Sequence, residues 1–351
     1  MTFRVIPAAL SIAIVSGLLA AGQAAPQPMT GRNPLDLARV LAARYPAQPI
    51  MSYIPALAWS GSLKLAVLTG EDRSRDKPRA EMAAFLTGKT PAIAEPYRLT
   101  SLAGHLAFAD AAALDKNAAA GALASKAAEF IKPQAPGESV RFATGWTDDM
   151  FMASSVLSRV DNGAHGAVVG ALLTSYARKL QRPDGLFIHA QDGPHPWGRG
   201  NGFALLGVTE ALTHLPEGWA DRARVLEIYR THVKALAGHQ SDDGSWRQVV
   251  DEPTSYRELT VTAMTVAAMA RGLARGWIDR ATYQPVIDRG WQAVTARVMD
   301  DGTVRDVCSG TGSGPTKEYY LNRPVVNGAD DRGGAMALLA AIEVETLRRG
   351  R

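Results

Sequence analysis

Two kinds of helical segment alternate along the chain, and the spacing of apolar residues distinguishes them. One kind is apolar on a single face: in 222–237, Val225, Tyr229 and Val233 recur every four residues, as on one side of a helix. The other kind is apolar nearly all round, as in FALLGVTEAL at 203–212, and such a helix must be buried on every side. The one-faced segments are about 34–45, 79–87, 118–131, 164–181, 222–237 and 280–297. The all-round segments are about 58–69, 101–113, 149–158, 202–213, 258–271 and 333–345.

Six segments of each kind, in strict alternation, predict an all-α fold of six helical hairpins. Strand signals are scarce along the same stretch. Each hairpin would put one buried helix inside and one half-exposed helix outside, which is the arrangement of an (α/α)6 barrel, or toroid. A generic α-solenoid is the alternative architecture.

A turn signal repeats after three of the one-faced segments. Asp184-Gly185, Asp243-Gly244 and Asp301-Gly302 recur at intervals of 59 and 58 residues, about one hairpin with its loops. The loops that follow, 184–201, 243–257 and 301–332, are long for a helical protein, and each leads into the N-terminal end of an inner helix. We therefore expect them to meet at one mouth of a single domain that spans residues 25–351.

The N-terminal segment has the pattern of an export signal. Arg4 supplies a positive charge, residues 6–21 are mostly apolar but short for a membrane span, and small residues precede a cleavage point after Ala24. We expect residues 1–24 to be a signal peptide. The mature protein would then be periplasmic or secreted, without stable membrane insertion. An uncleaved N-terminal anchor is the alternative.

Composition and charge exclude several classes of protein. With 46% hydrophobic and 21% charged residues, the chain is neither a disordered protein nor a polytopic membrane protein. The net charge of +4 is scattered, so nothing indicates a nucleic-acid partner. Cys308 is the only cysteine, which excludes an intramolecular disulfide, a cysteine zinc site and an iron–sulfur cluster.

Unusual polar residues precede the third inner helix. Asp148 and Asp149 stand at its start, directly after Trp146 and Thr147. A carboxylate at this position caps a helix, but a cap needs only one. We therefore expect one of the two to cap the helix while the other faces the cavity beside Trp146, where it could take part in catalysis.

A second group precedes the fourth inner helix, in the stretch WGRGNG. Trp197 offers a face on which a sugar ring can stack, Arg199 offers a planar fork for a carboxylate, and the alternating glycines leave room for a ligand. Its spacing is not that of a dinucleotide-binding loop. His189 is read as a hydrogen-bonding residue rather than a metal ligand, because it and His195 have no third ligand at a recognisable spacing. Glu258 is read either as a helix cap or as a residue of the cavity.

Five blocks of residues follow one another in order over 140–345. They are Trp146-x-Asp148-x-x-x-Met152, Gly185-x-x-x-His189, Trp197-Gly-Arg-Gly-Asn-Gly, Tyr256-x-Glu258-x-Thr260-x-Thr262-Ala-Met264 and Gly333-Gly334. Together they resemble the unsaturated glucuronyl and rhamnogalacturonyl hydrolases, glycoside hydrolase families 88 and 105, and they are closer to the latter. WGRGNG is the most specific single block.

The resemblance implies an (α/α)6 barrel and an exo-acting hydrolase without a metal or other cofactor. Such an enzyme removes a C4=C5 unsaturated uronic acid from the non-reducing end of oligosaccharides left by polysaccharide lyases, by hydrating the double bond. The resemblance makes Asp148 the catalytic residue. It assigns substrate contacts to Trp146, His189, Trp197, Arg199, Asn201 and Glu258.

The sequence departs from the family pattern at two positions. Residues 99–105 contain no counterpart of the second aspartate that the family carries at its second inner helix, and 138–144 contain no histidine upstream of Asp148. Two alternatives to the main interpretation therefore stay open. One is another sugar-active toroid, such as an ordinary glycosidase or an epimerase. The other is a catalytically impaired carbohydrate-binding relative.

Overall fold

The structure is a computed structural model that describes residues 1–2, 32–135 and 138–350. From Arg32 onward the described residues form one compact unit. Apart from its first two residues, the segment expected to be a signal peptide lies outside the described part, and so does its cleavage point. No helix among the described residues has both the length and the apolar character needed to cross a bilayer.

The described chain is almost entirely helical. Its helices are α1 Pro34–Arg44, α2 Tyr53–Thr69, α3 Asp76–Leu86, α4 Leu99–Leu102, α5 Leu106–Asp115, α6 Ala118–Ile131, α7 Asp148–Leu157, α8 Gly166–Leu180, α9 Gly198–His214, α10 Arg222–Gly238, α11 Leu259–Ala274, α12 Arg280–Thr295, α13 Lys317–Leu321 and α14 Asp331–Arg348. A 3-10 turn, Ala103–His105, joins α4 to α5, so these three pieces together form the second inner helix.

The inner helices close into a ring. Helix α2 packs on α5, α5 on α7, α7 on α9, α9 on α11, α11 on α14, and α14 again on α2. Helices α1, α3, α6, α8, α10 and α12 each follow or precede an inner helix and bury one face only, as α10 does with Val225, Tyr229 and Val233. A closed ring of six confirms the predicted (α/α)6 toroid and excludes the open solenoid.

Two of the three long loops contain short strands that the hydrophobic pattern did not predict. Strands β1 Trp246–Arg247 and β2 Arg257–Glu258 pair antiparallel in the second loop, with Trp246 opposite Glu258. Strands β3 Val304–Cys308 and β4 Val325–Gly328 pair antiparallel in the third, with Cys308 opposite Val325. The ribbons are too short to show a period of two, and they stiffen the loops that surround the mouth.

A chain of buried charges crosses the opposite end of the toroid, and we call it the floor network. Its six members come from the C-terminal ends of successive inner helices or just beyond them, and their signs alternate. They are Lys64, Asp110, Arg159, Glu210, Arg271 and Glu343.

The contacts of the floor network are short and mostly buried. Arg159 Nε lies 3.0 Å from Asp110 Oδ1, and its Nη1 contacts Glu210. Arg271 donates from Nη1 to Glu210 Oε1 at 2.7 Å and from Nη2 to Glu343 Oε1 at 2.5 Å. Although burial alone would raise their pKa values, the surrounding cations hold the pKa of the Asp110 and Glu210 carboxyls well below the usual range. The inner helices are thus joined across the floor by paired charges.

Candidate active site

The predicted site residues gather at the mouth, where the inner helices begin. Asp148 is the first residue of α7, and its Oδ2 lies 3.2 Å from Nε2 of His189. The His189 side chain is 0% exposed, whereas that of Asp148 is 13% exposed. A carboxyl group that is partly open to solvent and paired with a buried imidazole has the geometry of an acid–base pair.

His189 is fixed by its own backbone and by three aromatic rings. Its carbonyl accepts from Thr147 N at 2.9 Å, which ties the second loop block to the start of α7. Its ring lies 5.2 Å from Trp146 and 4.6 Å from Trp197, measured between centroids. On the side away from Asp148, Nδ1 lies 3.0 Å from the hydroxyl of Tyr320. The imidazole is therefore held in one orientation.

Asp149 organises the loop before α7. Its Oδ2 accepts from Thr144 N, Gly145 N and Tyr176 Oη, each at 2.8 Å. Burial raises the pKa of this carboxyl to about 6, against the opposing effect of the Tyr176 hydrogen bond. The loop that Asp149 holds carries Trp146, which is half-buried beside His189. The two adjacent aspartates thus have different surroundings, and Asp148 is the one open to the cavity.

Trp197 and Arg199 lie deeper than a sugar-stacking surface would. Trp197 is 1% exposed and packs with Val249, Cys308 and Tyr320. The guanidinium of Arg199 lies 4.7 Å from the centre of the Trp197 ring and donates to the carbonyls of Cys308 and Ser309, both at 2.7 Å. In this structure the pair joins α9 to the end of β3. Their assignment to the substrate stays a prediction.

Asn201 and Glu258 have only internal contacts in the described structure. Both are 0% exposed. The Asn201 carboxamide binds the backbone of Phe187 in both directions, at 2.9 and 2.8 Å. The Glu258 carboxylate caps α11 by accepting from Val261 N at 2.8 Å, and it also accepts from Cys308 N at 2.9 Å. Both residues thus position the loops of the mouth, and neither reaches its surface.

The structure brings further residues to the mouth to which the sequence analysis assigned no role in the site. The half-buried Tyr53 begins α2, and its phenol responds electrostatically to Arg199, Asp148 and Arg332. Burial raises the pKa of Tyr53 to about 12, so this phenol is neutral at physiological pH. Arg332 lies at the start of α14 and donates from Nε and Nη2 to Asp330.

These residues were hard to find because nothing local distinguishes them. Tyr53 resembles any aromatic residue that begins a core helix, and Tyr320 follows an equally aromatic neighbour, Tyr319. The only available signal was their place in loops that enter inner helices. His105, in the stretch where the family carries its second aspartate, is 0% exposed, and its Nδ1 contacts Leu102 O at 2.9 Å. Burial lowers its pKa to about 4.

Metal binding finds no support in the described residues, which contain no group of three or more His, Cys, Asp or Glu side chains able to hold a metal ion. His195, the other histidine considered for this role, has its Nε2 3.2 Å from the carbonyl of Pro315.

A six-hairpin toroid with a carboxyl–imidazole pair and an indole at its mouth is the architecture of a carbohydrate-active enzyme. The comparison of sequences agrees, because residues 29–348 match the sequence model of Glycosyl Hydrolase Family 88. The chain belongs to this family, and the resemblance drawn from the five motif blocks is confirmed.

Two curated relatives match part of the chain. An unsaturated 3S-rhamnoglycuronyl hydrolase from Alteromonas sp. (strain LOR) is 28% identical over 190 residues, which is 49% of this chain and 46% of the relative. The unsaturated rhamnogalacturonyl hydrolase YesR from Bacillus subtilis (strain 168) is 25% identical over 213 residues, 56% of each chain. The matched region thus spans about half the length of these relatives.

A solved structure covers nearly the whole chain. A crystal structure from Klebsiella pneumoniae subsp. pneumoniae, described as a "possible member of GH105 family", superposes with a TM-score of 0.81 at 19% identity. The match covers 97% of this chain and 100% of that one. At this identity the likeness supports the (α/α)6 fold and carries no information on substrate.

Proposed function

We propose that this protein is an exo-acting hydrolase that removes a C4=C5 unsaturated uronic acid from the non-reducing end of lyase-generated oligosaccharides. The reaction would begin by hydration of the double bond, with Asp148 as the catalytic acid. The two curated relatives described above are named as an unsaturated 3S-rhamnoglycuronyl hydrolase and an unsaturated rhamnogalacturonyl hydrolase, in agreement with this proposal.

The observation that carries the proposal is the pairing of Asp148 with His189 beneath Trp146. The carboxyl of Asp148 is partly exposed at the mouth, and its Oδ2 lies 3.2 Å from a fully buried imidazole nitrogen. Trp146 is half-buried beside that imidazole and supplies an aromatic face for a sugar ring. One acid–base pair next to an aromatic face suits protonation of an enol ether better than a two-carboxylate displacement.

The carboxylates of Asp149 and Asp330 are already engaged in other contacts, and this favours hydration over ordinary glycoside hydrolysis. The usual mechanism needs two free carboxyl groups on either side of the glycosidic bond. Asp149 is 1% exposed and engaged with the loop before α7, and Asp330 is paired with Arg332. Asp148 therefore has no free carboxylate partner among these two neighbours.

The proposed reaction balances with one water molecule. Asp148 gives its proton to C4, the water oxygen bonds to C5, and a proton of that water returns to the Asp148–His189 pair. The C5 hydroxyl then becomes a ketone as the bond from C5 to the ring oxygen breaks, and that oxygen takes up the hydroxyl proton. The hemiacetal left at C1 releases the remaining sugar as an alcohol.

The floor network supports the exo mode of action. Its paired charges come from all six inner helices or their ends and lie at the end of the toroid opposite Asp148. A cavity that is closed at its floor admits the end of a polysaccharide chain but not its middle. This is the physical basis for proposing attack on the terminal sugar.

Two guanidinium groups at the mouth could attract the uronate carboxylate, although the Tyr53 phenol beside them also responds to the carboxylates of Asp148 and Asp330. Arg199 and Arg332 both act on the Tyr53 phenol, which also responds to Asp148. A carboxylate near this phenol would be attracted by both guanidinium groups and could accept a hydrogen bond from the hydroxyl. We infer that the negative group of the substrate binds on this side of the cavity, which retains the substrate role predicted for Arg199.

A panel of lyase-digested polysaccharides tests the proposal. We expect ultraviolet absorbance of the unsaturated ring to fall in step with the appearance of new reducing ends. New reducing ends at constant absorbance would indicate an ordinary glycosidase instead. Binding without either change would indicate a carbohydrate-binding relative that lacks catalysis. Pectic, ulvan-like and glycosaminoglycan digests belong in the panel, because the substrate polymer is part of what it determines.

A further inference from the structure

We propose that Tyr320 is a positioning residue that controls where the protons of the Asp148–His189 pair reside. Tyr320 would not touch the substrate and would act through His189. The inference rests on the proposed function in taking Asp148 as the proton donor, but its geometry stands by itself.

Tyr320 lies directly behind the imidazole. Its hydroxyl is 3.0 Å from Nδ1 of His189, whose Nε2 is 3.2 Å from Asp148 Oδ2. The same hydroxyl accepts from Gly314 N at 3.3 Å. Tyr320 is 0% exposed, and its carbonyl accepts from Gln248 Nε2 at 2.8 Å. The phenol is therefore fixed by contacts that do not involve the imidazole.

A hydroxyl suits this position because it can both donate and accept. When the Asp148–His189 pair carries two protons, Nδ1 bears a hydrogen and donates it to the Tyr320 oxygen. When the pair carries one proton, that proton sits on Nε2 beside the carboxylate, and the hydroxyl donates to Nδ1 instead. A catalytic acid passes through both states in each turnover. Tyr320 thus satisfies a buried nitrogen in both states.

Removal of the Tyr320 hydroxyl should destabilise the two-proton state of the Asp148–His189 pair more than the one-proton state. In a Tyr320→Phe variant the two-proton state has a buried N–H with no acceptor, whereas the one-proton state has only an unused lone pair. A buried hydrogen bond that is not made costs more when it leaves a positively charged N–H without an acceptor than when it leaves a neutral nitrogen lone pair without a donor. The variant should therefore lose the second proton at lower pH, by about half a pH unit to one unit.

Other ionisable groups surround the pair and stay in place in the variant. Asp149 interacts electrostatically with Asp148, and the Arg199 guanidinium lies 4.7 Å from the centre of the Trp197 ring. The remaining neighbours are Tyr53, which responds to Asp148, and Asp192, His195 and Tyr319, which lie near the Tyr320 ring or act on it. None of these is altered by Tyr320→Phe, so a change in titration reports the lost hydroxyl.

Nitrogen NMR of the full chain measures the titration directly and without substrate. Protein labelled with 15N-histidine gives signals from 7 histidines, and a His189→Gln variant identifies those of His189. We expect the midpoint of the coupled pair to fall in Tyr320→Phe. The matched control is Tyr319→Phe, because the Tyr319 hydroxyl accepts from Gly312 N at 3.1 Å and has no contact with His189. Equal midpoints in the two variants would overturn the inference.

A second substitution keeps the test valid if Tyr320→Phe does not fold. Site-specific 3-fluorotyrosine at position 320 retains shape and hydroxyl, but makes the oxygen a weaker acceptor and the hydrogen a stronger donor. It should shift the His189 midpoint in the same direction by a smaller amount. An unchanged or raised midpoint would contradict the inference.

Kinetics then connect the inference to turnover. On an unsaturated uronyl disaccharide, Tyr320→Phe should lower kcat several-fold with little change in KM, and the alkaline limb of the pH profile should move to lower pH. A raised KM with an unmoved limb would make Tyr320 a merely structural residue. If the wild type does not act on any unsaturated uronide, the proposed function fails, whereas the NMR titration still decides the role of Tyr320.

Discussion

Replacement of Arg271 by methionine should destabilise the protein strongly, because it removes the cation that joins Glu210 to Glu343 in the floor network. The Arg271 side chain is 7% exposed and bonds Glu210 and Glu343 at 2.7 and 2.5 Å. Methionine fills a similar volume but leaves two buried carboxylates without their common cation. Breaking a buried ion pair by removing one partner costs about 3–5 kcal/mol.

The effect is measurable by urea denaturation at pH 7.5. With an m-value of about 3 kcal/mol/M, a loss of this size lowers the midpoint by about 1–1.7 M. The matched control is Lys132→Met. Lys132 pairs with Glu129 at 2.7 Å on the surface, with the two side chains 41% and 55% exposed. Such exposed pairs contribute about 0–1 kcal/mol.

The sign of the pH dependence gives a second check. In the wild type, the pKa of Glu210 is held well below its usual value, so its contribution to stability is present above about pH 4.3 and is lost as the pH falls further. In Arg271→Met, the Glu210 carboxylate should become easier to protonate, because one of the cations that lower its pKa is gone. The deficit relative to wild type should therefore shrink between pH 7.5 and pH 4.5. A deficit no larger than that of Lys132→Met, or one that is independent of pH, would refute the reasoning.

Three further predictions concern Asp149, Arg199 and the N-terminus. Because burial raises the pKa of Asp149 to about 6, this group stabilises the fold fully below about pH 4 and loses up to about 3 kcal/mol as the pH rises through 6. Asp149→Asn should remove this pH dependence of the free energy of unfolding. A free energy of unfolding that changes by the same amount between pH 4.5 and pH 7.5 in the variant and in the wild type would contradict the prediction. Arg199→Ala should lower kcat/KM for an unsaturated uronate more than for its methyl ester, since a charge-assisted bond contributes about 1.5–3 kcal/mol. Equal losses would make Arg199 solely an anchor for the carbonyls of Cys308 and Ser309. Mass spectrometry of the exported protein should find Ala25 at the mature N-terminus, whereas intact Met1 in a membrane fraction would support an uncleaved anchor.

The helices could be predicted because their hydrophobic pattern is set by the layers of the toroid. Helix α11 is buried along nearly its whole length, and α10 on one face, so the two have different patterns in the sequence. The short strands could not be predicted, since β1 and β2 are two residues each and are held by backbone pairing rather than by side-chain periodicity. The floor network was equally hidden, because Arg271 and Glu343 are single charges on apolar helices, 72 residues apart in sequence.

At the site, the residue types in the sequence predicted where the side chains lie better than they predicted what each side chain does. Asp148 and His189 were expected at the mouth, and they lie there in contact. Asn201 and Glu258 were also expected there as substrate contacts, but a carboxamide or carboxylate can serve a ligand or a loop equally well. Burial, which sequence spacing does not reveal, assigns both to the loops. The contact of Tyr320 with His189 could not be predicted, because the two residues are 131 positions apart in the chain.

The central claim is that Asp148 protonates the double bond of an unsaturated uronyl sugar. The most direct measurement compares the rate of ultraviolet absorbance loss for the wild type, Asp148→Asn and a control, Asp300→Asn, whose side chain is fully exposed. We predict that Asp148→Asn loses about 10²–10⁴-fold in rate while its thermal unfolding is nearly unchanged, and that the control keeps the wild-type rate. An Asp148→Asn enzyme that retains more than about a tenth of the wild-type rate would contradict the account.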